Sequence, residues 1–133
     1  MSIKHIMVVD DSAVMRMIIS NILMKNPMFQ VSFATNGKEA TEAIKTEKPD
    51  LILLDIEMPE MNGLEFLRFA RLRCRSKICI LSSIASAGSK AAREAVALGA
   101  DGVICKPSGA VSYDLEQKTG EELMSTINRL LSL

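Results

Sequence analysis

Four short apolar runs in the chain each end in a polar residue suited to phosphate or metal chemistry. Ile6-Met7-Val8-Val9 leads into Asp10-Asp11, Leu51-Ile52-Leu53-Leu54 into Asp55, Ile78-Cys79-Ile80-Leu81 into Ser82, and Val103-Ile104-Cys105 into Lys106. Carboxylates, a hydroxyl and an ammonium form a donor set for a divalent cation beside a phosphoryl group, provided the chain brings them together. In an open parallel sheet, ligands bind just outside the carboxyl ends of the strands, where the strand order reverses. If the four runs are strands of one such sheet, these residues converge on one crevice.

The intervening segments fit that sheet. The runs are continuous rather than alternating, as expected of strands covered by helices on both faces. Met15, Ile18, Ile19, Ile22 and Leu23 make one helical stripe, ended near Asn26-Pro27 because proline disfavours helix at the residue before it. Phe29 to Ala34 reads as a further strand, followed by an Asn36-Gly37 turn and a helix carrying Ala40, Ala43 and Ile44. Leu64, Leu67 and Ala70 face inward from a third helix, and Ala92, Ala95 and Val96 from a fourth that stops at Gly99. Leu123, Ile127, Leu130 and Leu131 stripe a fifth, which leaves Ser108 to Gly120 as a long connection. The pattern is βα repeated five times, an α/β doubly wound parallel sheet with right-handed crossovers. A flavodoxin-like order, 2-1-3-4-5, is adopted by analogy with known doubly wound sheets, and it sets Asp10 and Asp11 beside Asp55.

Each motif alone has a plainer explanation. Asp-Asp after a strand commonly caps a helix by accepting from its first free amides, and a lone aspartate before a proline-containing turn is usually turn chemistry. The conjunction at four strand ends favours a site. His5, at the start of the first strand and away from that end, reads as structural. The nine methionines read as gap-filling or surface residues.

Composition narrows the remaining classes. A chain of 133 residues accommodates one domain, residues 1–133, and one main site. Lysine plus arginine equal aspartate plus glutamate at 16 each, so the footprint of a nucleic-acid or polybasic membrane surface is missing. No apolar stretch approaches the roughly 18 residues needed to cross a bilayer, and the expectation is a cytoplasmic protein. Cys74, Cys79 and Cys105 are odd in number and lack CxxC spacing, which argues against disulfides and zinc.

Taken together, Val8-Val9-Asp10-Asp11-Ser12, the stretch from Leu53 to Gly63 with its Met58-Pro59-Glu60-Met61-Asn62-Gly63 turn, Leu81-Ser82-Ser83, Gly99-Ala100-Asp101-Gly102 and Lys106-Pro107 closely resemble the receiver domains of two-component response regulators. The likeness covers nearly the whole chain. Within that family it is nearest the receivers of the chemotaxis methylesterase, through Leu81-Ser82-Ser83 and Lys106-Pro107-Ser108-Gly109 followed by Ser112-Tyr113-Asp114-Leu115, or a single-domain chemotaxis regulator.

The resemblance implies roles. Asp55 would be the phosphoacceptor, taking its phosphoryl group from a histidine kinase. Asp10, Asp11, Asp55 and the backbone carbonyl of Glu57 would hold Mg²⁺, a hard ion that prefers oxygen ligands. Lys106 and Ser82 would contact the phosphoryl oxygens, and Ser83, Val103 and Pro107 would carry the change outward to a downstream signalling protein or fused effector domain. Val103 stands where many receivers carry a switching aromatic. Two alternatives stay open: the regulatory fragment of a protein-glutamate methylesterase, whose Gly-x-Ser-x-Gly elbow this sequence lacks, and a haloacid-dehalogenase-type phosphatase, disfavoured because Glu57 stands where a second aspartate belongs.

Overall fold

Continuous apolar runs become central strands because alternate residues of each one fill two separate cores. The computed structural model describes residues 3–56, 63–83, 88–106 and 113–133, the side chains of 113–117 excepted. The elements are β1 (Lys4–Val9), α1 (Ala13–Leu23), β2 (Phe29–Ala34), α2 (Gly37–Thr46), β3 (Leu51–Asp55), α3 (Gly63–Arg73), β4 (Lys77–Ser82), α4 (Lys90–Ala97), β5 (Gly102–Cys105) and α5 (Tyr113–Leu130). The sheet is five-stranded and parallel in the order β2-β1-β3-β4-β5, as expected. Met7, Val9, Ile52, Leu54, Ile78 and Ile80 pack beneath α2, α3 and α4, with Phe66, Leu67 and Ala95. Ile6, Val8, Leu51, Leu53, Cys79 and Leu81 pack beneath α1 and α5, with Ile19, Leu23, Leu123 and Ile127. A one-residue slip would exchange the two sets, so the register is strongly specified.

That register brings the functional ends level. Val9 pairs with Leu54, Asp55 with Leu81, and Ser82 with Cys105. Asp10, Asp55, Ser82 and Lys106 therefore leave the sheet along one edge. Helix starts are fixed by side-chain caps: Ser12, Asn36 and Ser89 accept from the amides of Met15, Glu39 and Ala92 at 3.2, 2.8 and 3.2 Å. Asn36, expected in a turn, is thus the cap of α2. Gly99 adopts φ of +107° just past α4, a conformation glycine takes at little cost.

Three sequence expectations need correction. The long connection expected to reach Gly120 is helical from Tyr113 onward, because Asp114-Leu115-Glu116-Gln117-Lys118 supplies mostly good helix formers without an obvious apolar stripe. Gly120 lies within α5, where an added Cβ would meet the Ile22 side chain of α1 at 3.6 Å. Val96 is 53% exposed instead of inward, because the buried face of the short α4 passes through Ala92 and Ala95. Phe66, absent from the expected core stripe, is fully buried. His5 occupies the start of β1, its Nε2 lying 2.7 Å from Ser32 Oγ, in keeping with a structural role. No helix among the described residues is long and apolar enough to cross a membrane.

Two outcomes follow from this packing. A Cβ on Gly63 would lie 2.4 Å from Ile56 Cα and 2.6 Å from the Asp55 carbonyl oxygen, both backbone atoms that cannot step aside cheaply. Gly63→Ala should cost about 1–3 kcal/mol by overpacking, read as a lower urea midpoint, and an unchanged midpoint would contradict this contact. Burial pushes the Cys79 thiol up to about 12, whereas Cys74 and Cys105 are partly exposed. A disulfide reagent at pH 8 should therefore label Cys74 and Cys105 in the native protein and Cys79 only after denaturation; equal labelling of all three in the native state would refute it.

Candidate functional site

Asp10 and Asp11 occupy the turn between β1 and α1, and the first question is whether they merely cap the helix. They do not, since Ser12 is the cap. Asp10 is completely buried and held at three points. Its amide donates to the Ala34 carbonyl at 3.1 Å, its Oδ1 accepts from the Ser12 amide at 2.9 Å, and its carbonyl accepts from Arg16 Nη1 at 2.7 Å. Its Oδ2, shielded from solvent, makes no well-aligned hydrogen bond among the described residues and is met by the Lys106 ammonium at 3.3 Å. Asp11, by contrast, is exposed at the rim.

Asp55 ends β3 and is 3% exposed. The Lys106 amide donates to the Ser82 carbonyl at 2.8 Å, extending the β4–β5 ladder one step beyond β5. From that anchor the ammonium lies 3.2 Å from Asp55 Oδ2. Burial works against the charge on Lys106, but Asp10 and Asp55 outweigh it and hold its pKa above the ordinary 10.5. Because the folded value is the higher one, the stabilisation from this pairing is fully present below 10.5 and fades as pH rises through the folded value. At neutral pH the ammonium is charged. Ser82 is 1% exposed, and its hydroxyl donates to the Ser83 carbonyl at 3.2 Å.

Carboxylate oxygens of Asp10, Asp11 and Asp55 lie within 4.8 Å of one another. An all-oxygen, acidic donor set with one buried oxygen lacking a well-aligned hydrogen bond suits a hard divalent cation. The structure thus gathers Asp10, Asp11, Asp55, Ser82 and Lys106 at one crevice. Val103 is 39% exposed on β5, outside the crevice. Glu57, Pro107 and residues 84–87 lie outside the described residues. Sequence reasoning missed Arg16, whose only signal was a cation one turn into the helix that follows the acidic pair.

Comparison with known proteins agrees with this geometry. A family model described as the response regulator receiver domain matches residues 6–128. The chain is 43% identical over 113 residues to a protein-glutamate methylesterase/protein-glutamine glutaminase of Treponema denticola, covering 84% of this chain and 30% of that protein. It is 37% identical over 130 residues to the protein of the same name from Thermotoga maritima, covering 97% and 38%. The chain therefore spans about a third of the length of these relatives. The crystal structure of the response regulator domain of Thermotoga maritima CheB superposes with a TM-score of 0.85 at 35% identity, covering 98% of each chain. A chain in the structure of the P1 domain of CheA3 in complex with CheY6 from R. sphaeroides gives 0.81 at 48% identity, covering 100% of each. With this match over nearly its whole length, the chain belongs to the receiver domains of response regulators, phosphoacceptor signalling modules related to those of chemotaxis.

Proposed function

We propose that Asp55 accepts a phosphoryl group from a phosphohistidine of a histidine kinase, and that the domain then changes the surface it offers a downstream partner. The observation that carries this reading is the Lys106 ammonium, 3.2 and 3.3 Å from two buried carboxylates beside a third. In the transfer, an Asp55 carboxylate oxygen forms a bond to phosphorus as the bond to the donor imidazole nitrogen breaks, and the imidazole keeps the electron pair. Asp10, Asp11, Asp55 and the Glu57 carbonyl would hold Mg²⁺, which supplies charge neutralisation between acceptor and phosphoryl oxygens. Lys106 pairs with the phosphoryl oxygens, and the Ser82 hydroxyl turns from the Ser83 carbonyl toward one of them.

Output follows from that turn. Val103 has no polar tip and a stiff side chain, so it does not act as a swinging aromatic. The change passes through Ser83 toward the α4 side and through Lys106 toward Pro107. A cytoplasmic location fits a kinase donor, and complexes of a CheA3 P1 domain with CheY6 among similar structures support that class of partner. The phosphatase alternative gives way to the receiver reading. A methylesterase role concerns the rest of a longer protein: relatives of that name are about three times this length, and a reading frame encoding a hydrolase after Leu133 would support it.

Two variants test the site. Asp55→Asn should abolish labelling by acetyl phosphate with Mg²⁺, followed by intact mass; an acid-labile phosphate gained at the wild-type rate would sink the assignment. Lys106→Met removes a cation that competes for the same carboxylates, so at low ionic strength it should tighten Mg²⁺ binding by about tenfold, the equivalent of ~1.4 kcal/mol. Unchanged or weaker binding would show that Lys106 is not seated among the metal oxygens.

A further inference from the structure

Arg16 plays no part in the proposed transfer, yet its guanidinium makes the 2.7 Å contact to the Asp10 carbonyl. That carbonyl belongs to the peptide joining Asp10 to Asp11, so its orientation sets the direction in which the backbone carries Asp11 and its carboxylate away from Asp10. The other restraints act elsewhere: the Ala34 carbonyl holds the Asp10 amide, and the Ser12 amide holds its Oδ1. Arg16 is itself anchored, its amide donating to the Ser12 carbonyl at 3.0 Å within α1. Glu39, in the first turn of α2, has its carboxyl held below its ordinary value chiefly by the Thr35 hydroxyl and amide, which donate to it at 2.6 and 3.2 Å, with the Arg16 charge contributing least.

We infer that Arg16 is a positioning residue for the cation site, fixing the Asp10–Asp11 peptide so that the two carboxylates converge with Asp55. The inference rests on the reading of that acidic cluster as a divalent-cation site. Its sign separates it from a simple charge effect. A cation near a metal site repels the metal, so loss of charge alone would tighten binding, as expected for Lys106→Met. Loss of a positioning contact weakens it, and the removal of groups that orient ligands typically lowers metal affinity by tenfold or more.

The test is Mg²⁺ titration of wild type, Arg16→Met and Arg16→Lys, followed by amide chemical shifts, with urea midpoints measured alongside. Arg16→Met should bind Mg²⁺ roughly tenfold more weakly, and its metal-free spectrum should already show displaced Asp11 and Ser12 amides. Arg16→Lys, which keeps a charged donor, should recover most of the affinity. If Arg16→Met does not fold, Arg16→Lys bears the test by a partial loss of affinity with displaced Asp11 and Ser12 amides, and wild-type affinity and shifts in it would then overturn the inference. Equal or tighter binding in folded Arg16→Met would overturn it while leaving the site reading intact. Failure of the wild type itself to bind Mg²⁺ would instead overturn the site reading, and this inference with it.

Discussion

Mutual repulsion among the carboxylates of Asp10, Asp11 and Asp55, held within 4.8 Å of one another, is the constraint on which the rest of the structure depends. Two unit charges about 4 Å apart cost roughly 4 kcal/mol at an effective dielectric near 20, too much for a small domain to carry unopposed in several pairs. Lys106 supplies one opposing charge, placed against Asp10 and Asp55 at once. Three formal negative charges and one positive leave two negative in excess, the charge of one divalent cation. On the proposed reading, a bound divalent cation would offset that excess and let the phosphoryl group approach Asp55.

The rest of the fold supplies the rigidity such a cluster needs. Strand ends cannot drift apart while alternate residues of β1, β3 and β4 are locked into two cores, since a shift along any strand would break packing on both faces. Capping by Ser12 leaves Asp11 exposed at the rim and Asp10 turned toward Lys106. Gly63 lets α3 approach the backbone of Asp55 and Ile56 so closely that no side chain fits between them. Stability of the scaffold and geometry of the site are set by the same contacts at that point.

The strands and most of the crevice were legible because they rest on coarse signals, whereas the sheet order came by analogy with known doubly wound sheets. Continuous apolar runs specify buried parallel strands, and polar residues at their ends stand out against them. What escaped depends on finer contacts. The start of α5 was hidden because residues 113–118 have helix-forming composition but no apolar stripe to announce it. Val96 has the right spacing for a core position, yet α4 is too short to bury a second flank. Arg16 looked like a solvated charge, since a bond to a backbone carbonyl six residues earlier leaves no trace in residue type. Its part in the site follows from the turn geometry alone.

A crystal structure of the protein with Mg²⁺ and beryllofluoride, a stable mimic of an aspartyl phosphate, tests the electrostatic design most directly. The expected result has beryllium on Asp55, the cation bound by Asp10, Asp11 and Asp55, and the Lys106 ammonium moved off Asp10 onto the fluoride atoms. A cation bound elsewhere, or Lys106 still paired with Asp10 while the adduct is formed, would contradict it.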